Sequence, residues 1–96
     1  MDDSATANPI RVMIVDDHPM MRDGVVGSIK RQPDMVVAAE VGDGTAAIAA
    51  IETANPDVVL MDLQMPGMDG VEAIQTISKK YPQVRILVLT TYVGDA

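Results

Sequence analysis

The stretch VVLMDLQMPGMDGVEAI, residues 58–74, carries the pattern that decides the fold class. An apolar run at 58–61 leads into a loop that contains glycine and proline, and apolar residues at helical spacing begin at Val71. Asp69 and Glu72 stand three residues apart, which predicts the N-cap and the capping box of a helix. The stretch therefore predicts a strand, a loop and a helix in succession.

The same alternation runs through the rest of the chain. Three further apolar runs, rich in β-branched residues, occupy 10–15, 35–41 and 85–89, and such continuous runs are typical of strands covered on both faces. The segments between them carry apolar stripes at helical spacing, formed by Met21, Val25 and Ile29, by Ala47, Ile48, Ile51 and Ala54, and by Val71, Ile74, Ile77 and Tyr81. Strands that alternate with helices pair in parallel through right-handed crossovers. The sequence thus predicts a doubly wound α/β sheet.

Composition limits the classes of protein to consider. The 96 residues are 48% hydrophobic and 22% charged, which fits one globular domain at 9–96, and residues 1–8 are expected to form a disordered tail. No apolar run is long enough for a membrane span, and the acidic N-terminus lacks the features of a signal peptide, so we expect a cytoplasmic protein without membrane contact. The absence of cysteine excludes thiol catalysis and thiolate metal sites.

Charge argues against direct contact with nucleic acid. Seven basic residues oppose fourteen acidic ones, a net charge of −7, and two tyrosines are the only aromatic residues. Binding to a phosphate backbone requires lysine and arginine, and binding to single strands commonly uses aromatic stacking. The chain on its own is therefore not expected to bind DNA or RNA.

Oxygen-bearing side chains follow three of the predicted strands. Asp16 and Asp17 follow the first strand, Asp62 follows the third, and Thr90 follows the fourth. Ligands of open parallel sheets bind outside the carboxyl ends of the strands, so we expect these residues to converge there. An all-oxygen site without cysteine suits Mg²⁺ or Mn²⁺.

Asp62 is the candidate nucleophile of this site. It stands at the head of the Gly- and Pro-containing loop, and an aspartate carboxylate can take up a phosphoryl group as an acyl phosphate. Asp16 and Asp17 suit metal coordination, and the Thr90 hydroxyl suits a hydrogen bond to phosphoryl oxygens. The competing interpretation is that each aspartate only caps a turn or a helix.

Three motifs resemble the receiver domain of two-component response regulators. These are VDDHPMMRDGV at 15–25, VVLMDLQMPGMDGVEAI at 58–74 and RILVLTTY at 85–92, and the DDHP and VLTTY variants are most similar to the NarL/FixJ subfamily. The resemblance implies a flavodoxin-like, CheY-like fold with strand order 2-1-3-4-5. It implies that Asp62 accepts a phosphoryl group from a sensor histidine kinase, and that domain 9–96 is a receiver.

The resemblance also implies the remaining site residues. Mg²⁺ would be held by Asp17, Asp62 and the backbone carbonyl of Gln64, with Asp16 assisting, and Thr90 would be the switch hydroxyl. In this subfamily a helix-turn-helix domain usually follows the receiver, so DNA binding and transcriptional control are expected only through a domain that these residues do not contain.

One departure from the family pattern concerns a lysine. The family's phosphate-binding lysine follows a fifth strand, whereas only about four strand–helix units are predicted here, and we expect a receiver that lacks its C-terminal part. Lys79 and Lys80 do not replace that lysine, because they lie near the end of the third predicted helix. An incomplete sheet would expose the fourth strand, which predicts self-association through it.

Several rival interpretations stand beside the receiver. A phosphorylation-independent interaction module and a Mg²⁺-dependent phosphohydrolase with an aspartyl nucleophile are alternatives, although the hydrolase usually has an acid where this chain has Gln64. In the receiver interpretation the chain is not an enzyme acting on a diffusible substrate.

Gly42, Gly44 and Ala47 imitate a dinucleotide fingerprint, but a plain strand-to-helix turn capped by Asp43 or Thr45 is the favoured interpretation. His18 is expected to point outward from the start of a helix, with metal ligation or a phosphohistidine as its alternative roles.

Overall fold

A computed structural model describes residues 8–63 and 70–89. These ranges hold four strands, β1 (Ile10–Val15), β2 (Met35–Val41), β3 (Val58–Asp62) and β4 (Arg85–Leu89), and three helices, α1 (Pro19–Lys30), α2 (Gly44–Ala54) and α3 (Gly70–Lys80). The expected tail at 1–8 falls almost wholly outside the described residues, as do Gln64, the Asp69 cap and Thr90. None of the three helices combines the length and apolar character of a membrane-crossing segment.

The four strands form one parallel sheet in the order β2-β1-β3-β4. This confirms the predicted doubly wound α/β class and the order implied for these strands. The pairing of β1 with β2 shifts its register between Val12 and Met13, a local irregularity that the apolar pattern did not reveal.

Apolar residues fill both faces of the sheet, as the continuous strand runs predicted. On one face α2 and α3 pack against β1 and β3, in a cluster of buried residues that comprises Met13, Val15, Ala47, Ile51, Ala54, Val59, Met61, Ala73, Ile77 and Val84. On the other face α1 packs through Val26 against Val12 and Ile14. Alternate residues of β1 therefore serve opposite cores, which explains why the strand shows no polar alternation.

Local chemistry sets both ends of α2. Asp43 is the N-cap, and its Oδ1 accepts a hydrogen bond of 2.7 Å from the backbone N–H of Ala46. At the other end Asn55 is left-handed, with φ of 48°, and Nη2 of Arg11 donates to the Ala54 carbonyl at 2.8 Å. The turn that imitates a dinucleotide fingerprint is thus a capped entry into α2.

The edge strand β4 has a partly apolar surface. It pairs with β3, and among the described residues no second strand pairs with it. Leu87 is 57% exposed and Val88 is 44% exposed. The exposure predicted for this strand is therefore present in the part of the chain that the structure describes.

Candidate functional site

Strand register brings the two buried aspartates together. Val15 of β1 is paired with Met61 of β3, so the next residues along these parallel strands, Asp16 and Asp62, lie side by side at the carboxyl edge of the sheet. Asp16 is 1% exposed and Asp62 is fully buried. Two carboxylates so deeply buried in adjacent positions need compensating charge or hydrogen bonds.

Asp17 completes a group of three that we call the carboxylate cluster, formed by Asp16, Asp17 and Asp62. One ligating atom from each member and one from His18 all lie within 4.8 Å of one another. Asp17 is partly exposed, so the cluster opens toward solvent on its side. The convergence predicted for the ends of the first and third strands is confirmed for these three residues.

Backbone contacts hold Asp16 in place from two other elements. Its N–H donates to the Val41 carbonyl at 3.0 Å, which continues the pairing of β1 with β2 past the end of the strand. Its carbonyl accepts a hydrogen bond of 2.9 Å from Nη1 of Arg22, which lies one turn into α1. Because β2 and α1 both bind the backbone of Asp16, the first residue of the cluster has little freedom to move.

His18 turns its ring toward the cluster. It is the N-cap residue of α1, with extended backbone angles, and Pro19 follows it at the first helical position. Its Nδ1 lies 3.0 Å from Oδ1 of Asp16, 3.0 Å from Oδ1 of Asp17 and 3.4 Å from Oδ2 of Asp62. The side chain is 54% exposed, so the expectation that His18 points outward holds for much of the ring but is wrong for Nδ1.

Electrostatics explain that orientation. The hydrogen bond to Asp16 is the largest influence that raises the pKa of His18 above 6.5, and the charge of Asp17 adds to it. Desolvation acts against both, because it disfavours the charged imidazolium. When protonated, the imidazole thus brings positive charge to the carboxylates of the cluster.

The lysines of α3 do not reach the cluster. Lys79 and Lys80 lie in the last turn of this helix, whereas its first residue, Gly70, lies against the end of β3. A helix of this length separates its two ends by about 15 Å. The expectation that these lysines do not replace the family's phosphate-binding lysine therefore agrees with their place in the fold.

The start of α3 fits closely against the residue that follows Asp62. A Cβ atom added to Gly70 would lie 2.8 Å from Cδ2 and 3.0 Å from Cα of Leu63, and 3.3 Å from the Asp62 carbonyl oxygen. Real Cβ atoms essentially never approach other atoms to less than 3.0 Å. Glycine is therefore needed here for close approach of the helix to the strand end.

The donors of the cluster fit a divalent cation. All three carboxylates present oxygen atoms, the ligands that Mg²⁺ and Mn²⁺ prefer. Within the described residues, Oδ2 of Asp16 is buried and has no hydrogen-bond partner. A buried carboxylate oxygen without a donor favours a bound cation, because desolvation would otherwise be uncompensated.

Two of the predicted site residues, Gln64 and Thr90, lie outside the described residues, and their roles stay predictions. Two contributors were missed or underrated in the sequence, namely Arg22 and the inward-facing nitrogen of His18. A signal for Arg22 was present in its position, four residues after His18, since residues at that spacing lie on one face of a helix. Its hydrogen bond to the Asp16 carbonyl nevertheless depends on the tertiary fold.

Comparison with protein families supports the motif resemblance. The model of the response regulator receiver domain matches residues 12–96. The transcriptional regulatory protein DegU of Brevibacillus brevis is 39% identical over 92 residues, which are 96% of this chain and 39% of DegU. The chain therefore spans about two fifths of the length of this relative.

Solved structures show the same architecture. A two-component response regulator of the LuxR family from Aurantimonas sp. SI85-9A1 superimposes with a TM-score of 0.82 at 40% identity, covering 90% of this chain and 61% of that one. The isolated REC domain of RcsB from Salmonella enterica serovar Typhimurium, determined in the presence of the phosphomimetic BeF3⁻, gives a TM-score of 0.82 at 33% identity, covering 91% and 65%. The chain is similar to both in sequence and in fold.

Proposed function

The chain belongs to the response regulator receiver domain family, and from this premise we propose that Asp62 accepts a phosphoryl group from a sensor histidine kinase. Membership of the family places the chain in two-component signalling. The proposed receiver comprises residues 9–96. The observation that carries the proposal is the position of Asp62, the last residue of β3, beside Asp16 at the carboxyl edge of the sheet.

The proposed reaction is an in-line transfer to a carboxylate. An oxygen of Asp62 attacks phosphorus, the phosphorus–nitrogen bond to the kinase histidine breaks, and its electron pair returns to the imidazole. The product is an acyl phosphate on Asp62. Burial of this carboxylate within the cluster keeps it oriented for attack, and the tight packing of Gly70 against Leu63 fixes the backbone beside it.

Mg²⁺ or Mn²⁺ is the proposed cofactor. Asp16, Asp17 and Asp62, together with the backbone carbonyl of Gln64, would hold it. A bound cation would offset the negative charge that carboxylates and phosphoryl oxygens bring together. Arg22 and His18 position this set, because one binds the Asp16 carbonyl and the other binds the Asp16 carboxylate.

Thr90 is proposed to be the residue that responds to phosphorylation. Its hydroxyl would act as a switch by forming a hydrogen bond with the phosphoryl group. Control of transcription would then require a DNA-binding domain, and the name of DegU, a transcriptional regulatory protein, supports a transcriptional output. In this proposal the chain acts in the cytoplasm as a switch and not as an enzyme on a diffusible substrate. Its partners would be a sensor kinase and, through the exposed β4, a second copy of itself.

Intact mass spectrometry tests the proposal. The chain is incubated with Mg²⁺ and a small phosphodonor such as acetyl phosphate, beside the Asp62→Asn variant. A labile mass gain of one phosphate in the parent chain and none in the variant is expected. Equal gains in both would overturn the assignment of Asp62. Rapid turnover of a phosphate ester would favour the hydrolase instead.

A further inference from the structure

The ring nitrogen Nδ1 of His18 lies close to all three carboxylates of the carboxylate cluster. It lies 3.0, 3.0 and 3.4 Å from one oxygen of Asp16, Asp17 and Asp62, respectively. The chain contains one histidine and no cysteine, so His18 is its only side chain of the kinds that commonly bind Zn²⁺ through nitrogen or thiolate sulfur. An otherwise all-oxygen cluster therefore includes one nitrogen donor that lies close to all three carboxylates.

These three separations match the edges of a metal coordination shell. Ligands about 2.1 Å from an octahedral ion stand about 3.0 Å apart along each edge. Ligands about 2.0 Å from a tetrahedral ion stand about 3.3 Å apart. Nδ1 is therefore spaced from its three neighbours as one ligand is from the others around a shared ion.

Hydrogen bonding alone does not account for the arrangement. A protonated Nδ1 carries one hydrogen, and this hydrogen cannot be well aligned with three oxygens at once. Oδ1 of Asp16 already accepts the backbone N–H of His18 at 2.8 Å, and Oδ2 of Asp16 is buried without a hydrogen-bond partner among the described residues. A cation bound by the three carboxylates together with Nδ1 would compensate the negative charge that they share.

We propose that His18 is a metal ligand, and that Nδ1 together with the carboxylates of Asp16, Asp17 and Asp62 forms a site for a late divalent transition metal ion such as Zn²⁺. Imidazole nitrogen favours such ions, whereas Mg²⁺ prefers oxygen ligands and retains its waters. The remaining ring nitrogen, Nε2, keeps its hydrogen in this mode, and the 54% exposure of the side chain gives it access to water.

The proposed site would allow the receiver to bind a transition metal ion in place of Mg²⁺. Because the three carboxylates that would hold Mg²⁺ are also ligands of this site, a transition metal ion bound there would displace Mg²⁺ from the cluster. Zn²⁺ would therefore compete with Mg²⁺ for the cluster and reduce phosphate uptake. This inference rests on the proposed function only for that consequence, since binding by His18 is measured without phosphorylation.

The test looks directly for the bond to nitrogen. The full 96-residue chain is labelled with ¹⁵N in histidine, which gives one imidazole to observe, and is loaded with ¹¹³Cd²⁺ as a spin-active substitute for Zn²⁺. We expect a scalar coupling between ¹¹³Cd and Nδ1. We also expect Nε2 to keep its proton. A bound ¹¹³Cd²⁺ without coupling to Nδ1, or coupling to Nε2 alone, would overturn the proposal.

Measured affinities for Zn²⁺ and Mg²⁺ provide an independent test of the proposal. In His18→Gln we expect the affinity for Zn²⁺ to fall at least about tenfold more than the affinity for Mg²⁺. A far-UV circular dichroism spectrum like that of the parent chain shows that the variant is folded. Equal Zn²⁺ affinity in the two chains would overturn the proposal. Acyl phosphate formation is assayed separately with Mg²⁺ and without Zn²⁺, so failure of Asp62 to accept phosphate would count against the proposed function and not against the metal site.

Discussion

Asp16 binds His18 through one carboxylate oxygen that contacts two different groups. Oδ1 of Asp16 accepts the backbone N–H of His18 at 2.8 Å and lies 3.0 Å from Nδ1 of the same residue. The first contact fixes the entry into α1, and the second directs the ring toward the cluster. The same oxygen atom therefore fixes the backbone at the start of α1 and orients the charged ring at the site.

This relationship predicts how His18 titrates in the metal-free protein. Its pKa is expected above 6.5, because the Asp16 hydrogen bond and then the charge of Asp17 favour the imidazolium. The stabilisation of the fold is then complete below pH 6.5 and is lost as the pH rises through the pKa of the folded state. An NMR titration of the single histidine in the presence of a chelator measures the midpoint.

The Asp16→Asn variant should lower that midpoint, since it removes the largest cause of the shift. Glu52→Gln is the matched control, because Glu52 lies near Tyr81 at the other end of α3. A midpoint at or below 6.5 in the parent chain, or one that Asp16→Asn leaves unchanged, would contradict this account of the site.

Gly70→Ala should destabilise the protein by about 1–3 kcal/mol, the usual cost of overpacking. The added methyl group would overlap Leu63, including its backbone Cα atom at 3.0 Å. Gly24→Ala is the control, because no atom lies within 4 Å of its added Cβ, and alanine should stabilise α1 there by up to about 1 kcal/mol. Urea unfolding compares them, and a shift of the same sign in both variants would refute the packing argument.

Asp43→Ala should cost about 1 kcal/mol in the free energy of unfolding, because α2 loses the acceptor for the Ala46 N–H. Thr45→Ala, at an exposed position in the first turn, should change stability by less than about 0.5 kcal/mol. Thermal and urea denaturation of the two variants check the assignment. Equal losses would mean that the cap assigned to Asp43 is not the group that stabilises the helix start.

Self-association through β4 should weaken in Leu87→Lys, because a lysine on an edge strand opposes pairing with another chain. Leu87 is 57% exposed there. Val71→Lys is the control, since Val71 is similarly exposed but lies on α3. Light scattering over a range of concentrations reports the mass, and a parent chain that stays monomeric throughout would contradict the prediction.

The fold was largely accessible from the sequence because its central strands, β1 and β3, have apolar residues packed on both faces. The runs at 10–15, 35–41 and 85–89 coincide with β1, β2 and β4. The run at 58–61 ends one residue before β3 does, because the polar residue Asp62 completes that strand. Continuous apolar runs of strand length that alternate with helical stripes leave few alternatives to a parallel sheet with helices on both faces.

The site was accessible only in part. Aspartates that follow strands are visible in the sequence, and the shared edge of a parallel sheet brings them together. The direction of the His18 ring depends on the charges of three residues from two strand ends, and the Arg22 contact depends on how α1 packs. Such contacts arise from the tertiary fold and leave no periodic signal in the chain.

The most direct test of the central claim is to locate the phosphoryl group by chemistry. After reaction with a phosphodonor and Mg²⁺, borohydride reduces an aspartyl phosphate to homoserine, and peptide mass spectrometry then identifies the residue converted. We predict conversion of Asp62 alone. Conversion of Asp16 or Asp17 in its place, or a phosphate gain that borohydride does not convert, would contradict the claim that Asp62 is the phosphoacceptor.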